Sequence, residues 1–212
     1  MVVFPAMVLV ASTGERGALA AEPPEFVVRV ATRTDLQAVR GGGYVLYLRH
    51  GTTDTSRPDR SPQVDLDDCS TQRPLTGEGR KLMARVGEYV RRAGIPIGDI
   101  LVSPLCRARE SAEAAFGDRF AIEPRLMYSG NMTDAEKVPV VARTRELIVR
   151  PVAPGANRLI LAHAPNLMDV MGYFPKPEGT LVILRPLPGG RFEYVSSIQP
   201  QAWPELLSQT PP

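Results

Sequence analysis

The feature that most constrains this chain is an alternation. Between residues 44 and 198, short apolar runs with the aromatic and β-branched content of buried strands take turns with stretches that carry helix signals. The strand candidates are 44–48, 100–102, 120–123, 158–162, 180–184 and 191–198, the last two joined through Pro188-Gly189-Gly190. Thr34 with Gln37 three residues on predicts a short helix closed by Gly41-Gly42-Gly43. Thr76 predicts the cap of a helix in which Leu82, Val86, Tyr89 and Val90 share one face and which Gly94 and Pro96 end. Ser103-Pro104 predicts a third helix, with serine as cap and proline at its first position, running to Phe116-Gly117. Thr133 with Glu136 starts a fourth, reaching roughly Arg150, and a helical turn is expected over 166–172. Strands alternating with helices imply a three-layer α/β/α sandwich, with a mostly parallel central sheet and an antiparallel edge strand.

At 212 residues, 43% hydrophobic and 23% charged, the chain has the material for one such domain and its core, which excludes fibrous and wholly disordered classes. Lys and Arg exceed Asp and Glu by 25 to 23, the signs are mixed, and no basic run resembles a nucleic-acid patch. Small-molecule chemistry is the expectation. Residues 1–22 read as a signal peptide or disordered N-terminus: an apolar stretch is followed by Ala18-Leu19-Ala20, an A-x-A cleavage pattern, although Glu15 and Arg16 sit where small neutral residues belong. A periplasmic or secreted location is the corresponding expectation, with the cytoplasm as its alternative. No run approaches the ~20 apolar residues of a transmembrane helix. Cys69 and Cys106 are too few for a disulfide framework and read most plainly as two buried thiols, or as one bridge in an exported protein.

In a parallel sheet, ligands collect where strands reach their carboxyl ends. Three strand candidates end there with reactive or anion-binding groups: Arg49-His50 after the first, Ser103-Pro104 leading to Arg107 after the second, and His163 after the run 158–162. Arg107, on the first turn of its helix, adds a charged fork to the N–H groups and dipole of the helix start. Only two histidines occur in the chain, and both come directly after an apolar strand. Two arginines and two imidazoles at one sheet edge point to a phosphate site. A metal on the two histidines would need carboxylate or cysteine partners, and the nearby acids Asp65, Asp67 and Asp68 read equally well as solvated loop. No metal or cofactor is expected.

These residues resemble the histidine phosphatase superfamily, the phosphoglycerate-mutase-like fold. Leu48-Arg49-His50-Gly51 is similar to its signature. Arg73-Pro74-Leu75-Thr76 with Gly79, Ser103-Pro104-Leu105-Cys106-Arg107-Ala108, and the strand ending at His163 come next in the family's order. The resemblance spans residues 44–198 and implies a single domain over 23–212. It further implies that His50 is the nucleophile, that Arg49, Arg107 and His163 bind the phosphoryl oxygens, and that Thr53 contributes a hydroxyl contact. Gly51, leaving room for phosphate, and Asn166 complete the expected substrate-binding set.

The proton donor departs from the pattern. Tyr128 stands where the mutase-like branch has a glutamate, and Ala164 where the acid-phosphatase branch has an aspartate. His163-Ala164-Pro165 and the absence of a large cap insertion resemble the small phosphatase branch, which includes phosphohistidine phosphatases. Glu178 is the first candidate acid, with Asp54 and Asp68 behind it. The function implied is hydrolysis of a phosphomonoester or phosphoramidate through phospho-His50, on a small phosphorylated substrate or a phosphoprotein. A phosphoglycerate-mutase-type phosphotransferase and a catalytically weak phosphate-binding module are the alternatives. The polar, proline-bearing segment 54–76 is expected to cover the pocket, its acidic run disfavouring highly anionic substrates.

Overall fold

The computed structural model describes residues 26–60 and 64–208, so the expectation for residues 1–22 lies outside the described part of the chain. Six strands form one sheet: β1 (Val45–Arg49), β2 (Ile97–Val102), β3 (Ala121–Ile122), β4 (Asn157–Ala162), β5 (Leu181–Leu187) and β6 (Arg191–Ile198). Their order is β3-β2-β4-β1-β5-β6. The pairings β3·β2, β2·β4 and β4·β1 are parallel, whereas β1·β5 and β5·β6 are antiparallel. The strand that runs against the others is therefore β5, one position in from the edge.

Strand alternation divides the core into two layers. Leu46 and Leu48 of β1, Leu159 and Leu161 of β4, and Leu181 and Ile183 of β5 face one side. There they meet α1 (Arg33–Arg40), α2 (Gly77–Arg92), α3 (Cys106–Phe116) and α6 (Trp203–Ser208), through residues such as Val39, Met83, Ala112 and Trp203. Val45, Tyr47, Ile160, Ala162, Val182 and Leu184 face the other side, against Leu147 and Ile148 of α4 (Asp134–Val149) and Leu167 of α5 (Ala164–Met171). Each such leucine, isoleucine, valine or methionine removed from water stabilises the fold by about 1.5–3 kcal/mol. β4 is buried along its whole length, as expected of a central strand covered on both faces.

Local chemistry explains most boundaries. Thr76 caps α2 through its Oγ1 on the Gly79 N–H, and Thr133 with Glu136 closes a capping box on α4. α1 begins two residues before the expected place, because Thr32 and Asp35 form the reciprocal box that Thr34 and Gln37 were expected to signal. α3 starts at Cys106 with Leu105 at its cap position, so Ser103 is not its cap. The Ser103 hydroxyl instead bonds the His163 imidazole across the sheet edge.

Two close approaches seat the segment after β1. A Cβ on Gly51 would lie 2.6 Å from the Gly79 carbonyl oxygen and 2.7 Å from Met83 Cγ; one on Gly79 would lie 2.1 Å from the Thr52 oxygen. Glycine at both positions lets the β1 exit lie against the first turn of α2. Cys69 and Cys106 are joined in a disulfide with Cα atoms 5.7 Å apart, which corrects the expectation of two thiols. The bridge fastens the 54–76 segment to the start of α3, a proximity that two cysteines separated by 37 positions do not announce in sequence.

Candidate active site

The carboxyl ends of β1, β2 and β4 bring His50, Arg49, Arg107 and His163 to one place. The His50 backbone is pinned on both sides, its N–H donating to Ala162 O at 3.1 Å and its carbonyl accepting from Gly179 N at 3.0 Å. Its ring, 1% exposed, has Nδ1 2.8 Å from the Gly51 carbonyl oxygen. A carbonyl only accepts, so Nδ1 carries the hydrogen and Nε2 keeps a lone pair. Burial first, and then the Arg107 charge, hold the His50 pKa well below that of an ordinary histidine, so the ring is neutral.

His163 lies with its ring centroid 5.2 Å from that of His50. The Tyr47 hydroxyl donates to the His163 carbonyl at 2.7 Å and accepts its N–H at 3.2 Å, fixing where β4 ends. Ser103 Oγ is 2.7 Å from His163 Nε2 and accepts the Leu105 N–H at 3.3 Å, which leaves the hydroxyl hydrogen for the imidazole. Nδ1 of His163, buried and without a partner among the described residues, then carries the ring hydrogen. Burial and the Arg107 charge push this pKa well down too.

Arg107 is wholly buried, with Nη1 2.8 Å from Asp59 Oδ1. Among the described residues its Nε and Nη2 have no partner, nor do the buried Nε atoms of Arg49 and Arg73. Unmet donors on buried cations are costly unless an anion completes them. Arg49 donates through Nη1 to Pro175 O at 2.9 Å and places Nη2 3.3 Å from Glu178 Oε1. Tyr128, at the position where a glutamate was expected, forms a wall: its ring meets His163 edge-on at 5.5 Å and lies 5.1 Å from the Arg107 guanidinium carbon.

Several expected roles change once the contacts are known. Gly51 was expected to leave room for phosphate; the space a Cβ would take there is filled by Gly79 and Met83 of α2, and the Gly51 N–H donates to Ser111 Oγ at 3.0 Å. Thr53 donates from Oγ1 to Glu178 Oε1 at 2.9 Å and from its N–H to Oε2 at 3.3 Å. With Arg49 as well, both oxygens of Glu178 are engaged, Oε1 by Thr53 and Arg49 and Oε2 by the Thr53 N–H. Asn166 is buried. Its Nδ2 donates to Met127 O at 2.8 Å and its Oδ1 accepts from Ser129 N at 3.5 Å, so it straps the segment that carries Tyr128. Asp54 and Asp68 are exposed, and hydrogen bonds from Ser56 and Ser70 depress their pKa values, the opposite of what a proton donor needs. Asp65 likewise bonds the Asp67 N–H in a local turn. The acid that the 54–76 segment delivers to the site is Asp59.

Sequence reasoning missed Asp59, Arg73 and Ser103 as site residues. Arg73 opens the Arg73-Pro74-Leu75-Thr76 motif, and that was its signal; nothing in the order of residues marked Asp59. Among the described residues, no three His, Cys, Asp or Glu side chains form a group that could hold a metal ion. A cleft of about 170 Å³ opens beside the site, lined by Asp59, Leu105, Met127, Tyr128, Asn131 and Met132 among others. On the far side of Arg49 a groove of about 510 Å³ is lined by Arg73, Phe174, Lys176 and Glu178 among others.

No curated protein is significantly similar to this sequence. Structures similar to this one include the protein histidine phosphatase SixA complexed with tungstate, 18% identical over 74% of this chain and 97% of that one, with a TM-score of 0.51. A putative alpha-ribazole-5'-P phosphatase from Escherichia coli K-12 is 17% identical over 74% and 97% of the two chains, with a TM-score of 0.53. Mycobacterial glucosyl-3-phosphoglycerate phosphatase is 18% identical over 73% and 98%, with a TM-score of 0.51. At these identities the likeness is one of fold. The family model described as histidine phosphatase superfamily (branch 1) matches residues 45–129, which include Arg49, His50, Asp59, Arg73, Arg107 and Tyr128. That match, the shared fold and His163 at the end of β4 support assignment of the chain to the histidine phosphatase superfamily.

Proposed function

We propose that this histidine phosphatase hydrolyses a phosphomonoester or phosphoramidate in two steps through a phosphohistidine on His50. The observation that carries this reading is the set of buried, unpartnered donors, Arg107 Nε and Nη2, Arg49 Nε, Arg73 Nε and His163 Nδ1, around a neutral imidazole with a free Nε2. A tetrahedral oxyanion supplies acceptors for such a set. In the first step Nε2 attacks phosphorus in line as the leaving group departs, and the arginines with His163 hold the charge of the three equatorial oxygens. Most of the acceleration is positioning and electrostatics, in a site whose donors need no reorganisation. In the second step water attacks the phosphohistidine and inorganic phosphate leaves.

The similar structures carry names that refer to a phosphohistidine, a ribazole phosphate and a glucosyl-phosphoglycerate, so their chemistry in common is one phosphoryl group on varied leaving groups. A small phosphorylated compound or a phosphoprotein is accordingly the substrate class. The Cys69–Cys106 bridge favours an oxidising compartment, periplasmic or extracellular. Rapid quench with a labelled aryl phosphate tests the mechanism. An acid-labile phosphohistidine that forms and decays at the rate of turnover is expected, and His50→Ala abolishes both; full turnover in His50→Ala refutes it.

A further inference from the structure

We propose that Asp59 is the proton donor of this site, replacing the glutamate whose position Tyr128 occupies; the proposal rests on the hydrolase reading above. Asp59 lies on the segment between β1 and α2, 48 positions before Arg107, yet its side chain is only 8% exposed and reaches the anion site. Oδ1 takes both of its hydrogen bonds, from Arg107 Nη1 at 2.8 Å and from the Arg73 N–H at 2.8 Å. Among the described residues no donor is on Oδ2. Asp59 can therefore carry a proton on Oδ2 with both of its bonds kept, whereas both oxygens of Glu178 already accept hydrogen bonds.

The location suits the task. Arg107 gives one prong of its fork to Asp59 and keeps Nη2 and Nε for a phosphoryl group, so carboxylate and phosphate become neighbours on one guanidinium. Asp59 also lines the cleft with Leu105, Met127 and Tyr128, so it stands between the phosphoryl site and the space for the leaving group. The charged side chain bonded to it is that of Arg107, Arg73 adds only its backbone N–H, and Arg60 and Glu136 line the same cleft. A monoanionic substrate or water supplies the proton that Oδ2 delivers.

The step then balances. The His50 Nε2–P bond forms as the P–O bond to the leaving group breaks; the electron pair goes to the leaving oxygen, which takes the proton from Asp59 Oδ2. In hydrolysis the incoming water gives its proton to the Asp59 carboxylate as oxygen bonds to phosphorus and the P–N pair returns to Nε2. The acid is restored.

Asp59→Asn keeps an Oδ1 acceptor for both bonds and removes the transferable proton, and its effect is read across a series of leaving groups. For alkyl phosphates, whose alkoxide must be protonated, kcat is expected to fall about 10²- to 10³-fold, whereas for 4-nitrophenyl phosphate it falls less than about tenfold. Tungstate, as the phosphate probe, binds the variant at least as tightly as the parent, because a competing carboxylate has become neutral. Equal losses for alkyl and nitrophenyl phosphates, or weakened tungstate binding with those losses, overturn the proposal and leave Asp59 as a holder of Arg107. An unmodified protein that turns over substrate without phosphorylating His50 overturns the hydrolase reading itself, and is recognised separately by rapid quench.

Discussion

Replacing Cys69 and Cys106 together by serine should cost far more stability than any contact these side chains make, because the bridge acts mainly on the unfolded chain. The linked residues are 37 positions apart, and closing a loop of that length in the denatured ensemble corresponds to about 4 kcal/mol at 25 °C in the chain-entropy account. Little in the folded state opposes the change. Gln72 Oε1 still accepts the Cys106 N–H at 2.8 Å, and Asp59 still bonds Arg107, so the segment keeps its seat on α3 without the covalent link. A loss of about 4 kcal/mol in a domain of this size lowers Tm by about 10 °C. The assay is urea and thermal unfolding of the double variant beside the parent with and without reductant. The m-value should rise as Cm falls, since the uncrosslinked unfolded chain exposes more surface. A double variant within about 1 kcal/mol of the parent and unchanged in m would refute the reasoning, because the 54–76 segment would then be held in the unfolded chain as it is in the folded one.

The two histidines make a pH prediction of definite sign. Both have folded pKa values held well below 6.5 by burial and by Arg107, so below about pH 6 the unfolded chain binds more protons than the native one, and stability falls as pH falls. Denaturant titrations should show stability falling from about pH 6 to 5, with a smaller fall in His163→Gln, and an unchanged pH dependence in that variant would count against two neutral imidazoles. Gly51→Ala places a Cβ 2.6 Å from the Gly79 oxygen and should destabilise by about 1–3 kcal/mol, while Gly77→Ala, which meets nothing within 4 Å, should not. Equal unfolding midpoints for the two variants would remove the close approach as the reason for glycine after His50.

The range of the forces involved decides how far the site was legible in sequence. Arg49 and His50 could be placed because apolar side chains on alternate faces of 44–48 require a strand, and the end of a strand puts the next residues at the sheet edge. His163 is placed by the same argument on β4, and Arg107 by a helix that starts just after β2. Capping pairs three residues apart placed α4, and Thr76 placed α2. Each of these signals acts within one turn of helix or one step of strand.

What lay beyond the sequence involves partners brought together by packing. Ser103 beside Pro104 carries the local signature of a cap, yet β2 and β4 lie side by side and its hydroxyl meets His163 instead. Asn166 and Thr53 carry polar groups suited to a ligand, but the turns around them present a backbone carbonyl and a carboxylate first. Glu178 and Asp59 are both single acids in polar loops, indistinguishable by composition; the cross-chain contacts make one an acceptor at both oxygens and leave the other with Oδ2 for a proton. By itself, the order of residues determined the strands, most helix starts and the two imidazoles and two arginines at the sheet edge, since those depend on periodicity and near-neighbour hydrogen bonds. Only the tertiary structure decided which acid meets Arg107, which groups Thr53, Asn166 and Ser103 bind, and that Cys69 is joined to Cys106, because each depends on where a long aperiodic segment or a distant strand comes to rest.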